Sequence, residues 1–264
     1  MTGDVWADLV DPFVEGAYAT VKGRVRTYVL HRHLLEHLPP PPAAVLDVGG
    51  GAGHQSFPLA RLGYEVVLLD PSEAMLAAAE QRLAAEPADV RERVRLVHGR
   101  GEDAPDVTGG RRFDAVLCHG VLMYLPDPEP VVAALCASAA PGAVVSVLAL
   151  NAATLAVRPA LERRWEDALA AFDARGERGV LGLDTRADTV EDLSRLLGAH
   201  GADPLAWYGV WLFSDWMALE DDAETARIAE VELEASRRDP YRSLSRVFHL
   251  LARRSGAPFD LGSE

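Results

Sequence analysis

A short apolar run, Val45-Leu46-Asp47-Val48, breaks directly into Gly49-Gly50-Gly51-Ala52-Gly53 and then into residues 54–62, which have helical character. A strand that turns through glycines into a helix opens an α/β sheet. Glycine admits the sharp turn and leaves no side chain between the backbone and a ligand. The rest of the chain keeps the pattern: strand-like runs at 65–70, 94–98, 113–118 and 143–150 alternate with helical segments that include 73–83 and 128–138. Alternation of this kind predicts right-handed βαβ units in a mostly parallel twisted sheet with helices on both faces, a Rossmann-like α/β fold.

Ahead of the glycines, Val25, Val29, Leu30, Leu34 and Leu38 recur at helical spacing, which predicts a helix over 23–38 stopped by Pro39-Pro40-Pro41-Pro42. After residue 150 the alternation gives way to pieces rich in Arg, Glu and Gly, read as a helical cap inserted over the sheet. Order resumes at Thr189-Val190-Glu191-Asp192, which resembles a capping box. Two late strands are expected around 207–213 and 247–252, with an acidic helical run at 217–236 between them. A chain of 264 residues organised this way reads as a single domain. Its parts are an N-terminal helical segment (1–42), a ligand-binding core (43–150), the cap (151–188) and a C-terminal part that completes the sheet (189–264).

Composition narrows the function classes. The most apolar stretch, residues 143–150, is far shorter than the roughly 20 residues needed to cross a bilayer, so no membrane span is expected. Asp4 stands where a secretory signal would be basic, and two cysteines, Cys118 and Cys136, fall inside expected elements as buried thiols do; the chain reads as cytoplasmic. A formal net charge of −14 repels phosphate backbones at long range, so a nucleic-acid partner would need a local basic patch. His33 and His37 can share a helix face, but no third ligand accompanies them and no metal site is read.

The spacing of the glycines identifies what they hold. In a dinucleotide fingerprint the last glycine would fall on His54 or Ser56; what stands here is Gly-x-Gly-x-Gly. Asp70 ends the second strand, where a carboxylate can accept both ribose hydroxyls of an adenosine. Met75 follows within reach of an adenine face, and Gly101-Glu102 follows the third strand near the adenine edge. Singly, these features read as a turn, a helix cap and a solvated acidic pair. In register they form a nucleoside seat to which Gly51 also belongs.

Val-Leu-Asp followed by Gly-x-Gly-x-Gly resembles the first motif of class I methyltransferases. Most of the chain also resembles the bacterial tRNA 5-carboxymethoxyuridine methyltransferases. The resemblance rests on 18–26 (Tyr-Ala-Thr-Val-Lys-Gly-Arg-Val-Arg), the glycine loop, 113–119, Asn151-Ala152, Gly209-Val210-Trp211-Leu212-Phe213, Pro240-Tyr241 and 249–253. It implies S-adenosyl-L-methionine as cofactor, contacted by Arg26, Gly49, Gly50, Asp70, Gly101, Glu102 and His119. It also implies O-methylation of a carboxylate in a modified tRNA. Tyr18, Tyr124, Asn151 and Trp211 are the residues expected to face the substrate. A guanidinium at Arg26 suits the methionine carboxylate, on which it can fork. The chain departs from those relatives at residues 173–179, where acids offset the arginines of the cap, and at Trp211, where they carry an arginine.

Methyl transfer from a sulfonium is an in-line displacement, and alignment alone can supply up to about 7–11 kcal/mol. A carboxylate acceptor needs no general base, whereas a phenol or amine would need one. His31, His33, Tyr18, Tyr28 and Tyr124 are the residues of suitable chemistry, and no spacing singles one out. A methyltransferase for a small specialised metabolite is the alternative. A Rossmann protein that binds a nucleotide cofactor without methylating is a third reading.

Overall fold

The computed structural model describes Val10 and residues 18–179, 182–217 and 222–256. The remaining parts of the expected N-terminal segment, cap and acidic run therefore lie outside the described residues. In chain order the elements are α1 (Val21–His37), β1 (Ala44–Val48), α2 (Ser56–Arg61), β2 (Glu65–Asp70), α3 (Glu73–Ala84), α4 (Ala88–Arg91), β3 (Val94–His98), α5 (Ala104–Val107), β4 (Phe113–His119), α6 (Glu129–Ser138) and β5 (Ala139–Leu150). They continue with α7 (Val157–Leu161), α8 (Trp165–Ala171), β6 (Gly176–Arg178), β7 (Asp184–Arg186), α9 (Val190–Ala199), β8 (Ala202–Val210), α10 (Thr225–Ala235) and β9 (Val247–Arg254).

Seven strands form one sheet in the order β3-β2-β1-β4-β5-β9-β8. The first five are parallel, and β9 runs antiparallel between β5 and β8. Alternate residues of each central strand face opposite layers. Leu46 and Val48 of β1, with Val116 and Cys118 of β4, pack under α6 and α9; Val45 of β1, with Ala115 and Leu117 of β4, packs under α1 and α2. Both cysteines are buried and unpaired. No helix among the described residues is long and apolar enough to cross a membrane.

Local chemistry sets the element ends. Thr20 caps α1 by accepting the Gly23 N–H (3.1 Å), and Thr189 caps α9 by accepting the Asp192 N–H (3.0 Å), as its sequence predicts.

Two expectations are corrected. The segment read as a helical cap holds two short helices, α7 and α8, followed by a β-hairpin, β6-β7. Gly176 explains the hairpin, since a Cβ there would come within 2.3 Å of the Thr185 carbonyl; only glycine lets the strands approach so closely. The strand expected at 207–213 runs instead from Ala202 to Val210. Its first half is hard to recognise because β8 is the sheet edge. Asp203, Pro204 and Leu205 are exposed there, and an edge strand tolerates proline. Trp211, with φ of 61°, leaves the strand geometry and ends it.

Candidate active site

The sheet order reverses between β1 and β4, and an open α/β sheet places its ligand crevice at the carboxyl ends of such strands. The glycine loop lies there, held to β2 by the Gly49 and Gly50 N–H groups donating to the Leu69 carbonyl (2.7 and 3.3 Å). Its glycines divide by role. A Cβ on Gly49, Gly50 or Gly53 would sit 2.3 Å from Val121, 2.7 Å from Leu68 or 2.4 Å from Phe57, so these three are required by packing. Gly51 is different: with φ of +52°, its Cβ would meet nothing nearer than the Met75 sulfur at 4.0 Å. The buried Asp70 ties the loop to α3, accepting from Gly51 N–H through Oδ2 (2.8 Å) and from Ser72 N–H through Oδ1 (2.9 Å). Ser72 in turn accepts the Met75 N–H (3.2 Å).

From the loop a cleft lined by Asp47, Gly49, Gly50, His54 and Gln55 opens past Tyr18, Arg26 and His119. These last three residues also line a cavity of about 590 Å³. Arg26, buried on α1, donates from Nη1 to the Tyr18 hydroxyl (3.1 Å) and has no carboxylate ion-pair partner among the described residues. Asp47 is buried across the cleft. Burial raises its pKa to about 6; the neighbouring Asp70 adds to the rise, while the Ser56 hydroxyl (2.6 Å) and the Arg26 charge work against it. Burial holds His119 well below 6.5, with His249 and Arg26 acting the same way, and its Nδ1 is buried without a hydrogen-bond partner.

The ionised groups lining the larger cavity are Lys22, Arg26, Arg158 and Arg246 against Glu177 and Asp215, an excess of positive charge in a chain of net charge −14. Asp215 takes both Lys22 and Arg158, whose Nη2 meets Oδ1 and Oδ2 (2.8 and 2.9 Å). Arg246, 4% exposed, pairs with Glu177 through Nη2, while its buried Nη1 has no partner. Burial, with Arg158 nearby, lowers the Arg246 pKa to about 10, so it stays charged at neutral pH. Trp211 joins this cluster: its Nε1 donates to the Lys22 carbonyl (3.0 Å), and its ring lies under the Lys22 ammonium (4.5 Å) and beside Arg26 (5.7 Å).

Of the residues expected to face substrate, Tyr18, Tyr124 and Trp211 line the cavity. Asn151 does not, and that expectation is corrected. Its Nδ2 donates to the Ser243 and Ser245 carbonyls (3.3 and 3.0 Å) and its Oδ1 accepts from Ala153 (3.1 Å), so it joins β5 to the turn before β9. Met75, Asp70, Gly101 and Glu102 line neither space: Asp70 and Met75 stand beside Gly51, Gly101 packs against Val48 and Val131, and Glu102 pairs with Arg100. Among the suggested bases, Tyr28 is exposed and His31 bonds Gln55 (3.0 Å). Arg158, Glu177, Asp215 and Arg246 carry no recognisable motif, and Lys22, although part of the 18–26 segment, had no role read for it.

A nucleoside sulfonium with an amino-acid tail fits these residues. Gly51 leaves open space that a side chain would fill, and among the described residues Arg26 has no carboxylate partner and His119 Nδ1 no donor. Residues 46–145 match the family described as "Methyltransferase domain". The chain has the Rossmann-like fold of class I methyltransferases, and the match and the site together support an enzyme that uses S-adenosylmethionine. More particularly, it is 29% identical over 252 residues to the tRNA 5-carboxymethoxyuridine methyltransferase of Escherichia coli K12, covering 94% of this chain and 95% of that one. A ubiquinone biosynthesis O-methyltransferase of Xanthomonas campestris is 32% identical over 42% of this chain and 44% of its own length. Among solved structures, the CcbJ methyltransferase of Streptomyces caelestis shares the fold, with a TM-score of 0.61 at 18% identity over 97% of this chain and 98% of that one. The glycopeptide N-methyltransferase MtfA, solved with S-adenosylmethionine, does so with a TM-score of 0.56 at 19% identity over 86% and 94%.

Removing the Asp70 carboxylate leaves the Gly51 and Ser72 N–H groups without an acceptor. Asp70→Ala is expected to weaken S-adenosylmethionine about 30-fold, roughly 2 kcal/mol, while keeping a cooperative melt. Titration calorimetry showing unchanged affinity would mean the nucleoside sits elsewhere.

Proposed function

We propose that the chain transfers the methyl group of S-adenosylmethionine to a carboxylate, and that this is the carboxylate of 5-carboxymethoxyuridine in tRNA. The observation carrying the first part is the excess of positive charge lining a cavity that shares Tyr18, Arg26 and His119 with the cleft at the glycine loop. The second part is supported by similarity to the E. coli enzyme across nearly the whole chain. On this reading all 264 residues act as one domain in the cytoplasm, with 151–188 as a cap.

The cofactor supplies an electrophilic methyl on a sulfonium. Arg26 would hold its carboxylate and His119 its amino-acid end. Gly51 would leave room for it beside Gly49 and Gly50, while Asp70, Met75, Gly101 and Glu102 would hold the nucleoside. Arg246 Nη1 would orient the acceptor carboxylate. A carboxylate is already a nucleophile, which agrees with a site whose histidine is held neutral and poorly basic. Closure around the pair would exclude water and keep the reacting atoms in line.

A free small carboxylic acid is the second reading. The net charge of −14 and the Trp211 wall favour it over a polyanion. Methyl-labelled cofactor incubated with tRNA bearing 5-carboxymethoxyuridine, with the same tRNA lacking it, and with a metabolite extract separates the two. Label is expected in the first sample alone and should be released by mild alkali, as from a methyl ester. Label only in the extract sinks the tRNA assignment, and alkali-stable label sinks the carboxylate.

A further inference from the structure

Under α1, residues His119 of β4, Leu148 of β5, His249 of β9 and Tyr208 of β8 stand in one register across four strands. Buried polar side chains link this row into one continuous chain. His119 Nε2 meets Ser146 Oγ at 2.8 Å, Ser146 Oγ meets His249 Nε2 at 2.6 Å, and His249 Nδ1 meets His33 Nδ1 at 3.4 Å. His33 Nε2 then meets Ser236 Oγ at 2.8 Å, and Ser236 donates its single proton to the Leu233 carbonyl at 2.6 Å. Tyr208 stacks on His33 at 4.0 Å.

The far end dictates the direction of every bond. A carbonyl only accepts, so the Ser236 oxygen must accept from His33 Nε2–H. All three rings are neutral: burial, foremost among the causes, lowers His33 to about 2 and His249 to about 3 and holds His119 well below 6.5. A neutral imidazole carries one proton. His33 Nδ1 is therefore bare and accepts from His249 Nδ1–H; His249 Nε2 is bare and accepts the Ser146 O–H. The Ser146 oxygen then accepts from His119 Nε2–H. The one nitrogen left over is His119 Nδ1, a bare lone pair, and it is the atom that has no partner.

We propose that Ser146, His249, His33 and Ser236 are positioning residues that fix His119 in its Nε2–H tautomer, so that Nδ1 accepts a hydrogen bond from the ammonium of the methionine moiety. The other tautomer would turn an N–H toward that cation. The proposal rests on His119 belonging to the cofactor seat, and its test needs no methyl acceptor.

Long-range proton–nitrogen NMR correlations on 15N-histidine-labelled protein report each tautomer. The expected pattern near neutral pH is a proton on Nε2 of His119 and His33 and on Nδ1 of His249. The His119 Nδ1 signal should shift with S-adenosylhomocysteine but not with 5′-methylthioadenosine, which lacks the amino-acid part. Ser146→Ala is expected to weaken S-adenosylhomocysteine about tenfold, leave 5′-methylthioadenosine unchanged and mix the His119 tautomers. A proton on His119 Nδ1 in the wild-type protein overturns the proposal, whether or not the variant folds. So does an equal loss of both ligands in Ser146→Ala.

Discussion

Gly51→Val is expected to lose S-adenosylmethionine binding by 100-fold or more while retaining its fold. The position is open: an added Cβ lies 4.0 Å from the Met75 sulfur and touches nothing else, because it enters the space beside the loop that the cofactor would take. The variant also carries a β-branched residue at φ of +52°, which costs about 1–3 kcal/mol. That is tolerable against a typical 5–15 kcal/mol of total stability. A chain of this size should show it as a fall in Tm of up to about 10 °C. Gly53→Ala is the informative contrast, since its Cβ would come within 2.4–2.7 Å of the Phe57 ring. It should lower stability more than Gly51→Val despite being the smaller change. Calorimetry paired with thermal melts checks both. Near-normal affinity in Gly51→Val would show that nothing occupies that space.

The nucleoside half of the proposed site could be read from the sequence because its residues are local. The loop follows β1, Asp70 ends β2 and Glu102 follows β3, so the α/β alternation brings all three to the carboxyl ends of neighbouring parallel strands. The acceptor half was not. Lys22, Arg158 and Arg246 lie far apart along the chain and meet only because β9 inserts between β5 and β8, a crossing that no spacing records. Ser146 and His249 pose the same problem, since each alone resembles an ordinary core polar residue, and nothing in the spacing joins them to His33 and His119. Asn151 misled in the opposite sense: it sits at the end of a strand facing the site, but its amide closes a turn. Trp211, expected to face the substrate, lines the cavity and also lies against Lys22 and Arg26, whose charges it faces with its ring. A residue's place along the chain foretold which edge it reaches, and its polar atoms' partners decided what it does there.

Replacing Arg246 should damage acceptor binding specifically. Its Nη2 is engaged by Glu177 and its Nη1 is the buried donor that remains, so Arg246→Met removes the group proposed to hold the acceptor carboxylate and also strands Glu177. The double variant Arg246→Met/Glu177→Gln takes away the stranded charge and isolates the first effect. Truncating a buried charge pair costs about 2–5 kcal/mol, so kcat/KM in the double variant should fall roughly 100-fold, with cofactor affinity within about twofold of wild type. The loss should fall on KM. The acceptor carries its full negative charge in the ground state and loses it as the ester forms. An arginine attracts the ground state at least as strongly as the transition state, and such binding lowers KM without raising kcat. Steady-state kinetics should therefore give a raised KM with kcat nearly unchanged. A fall in kcat at constant KM would mean that Arg246 acts on the transfer step, and a matching loss of cofactor affinity would place it in the donor half of the site.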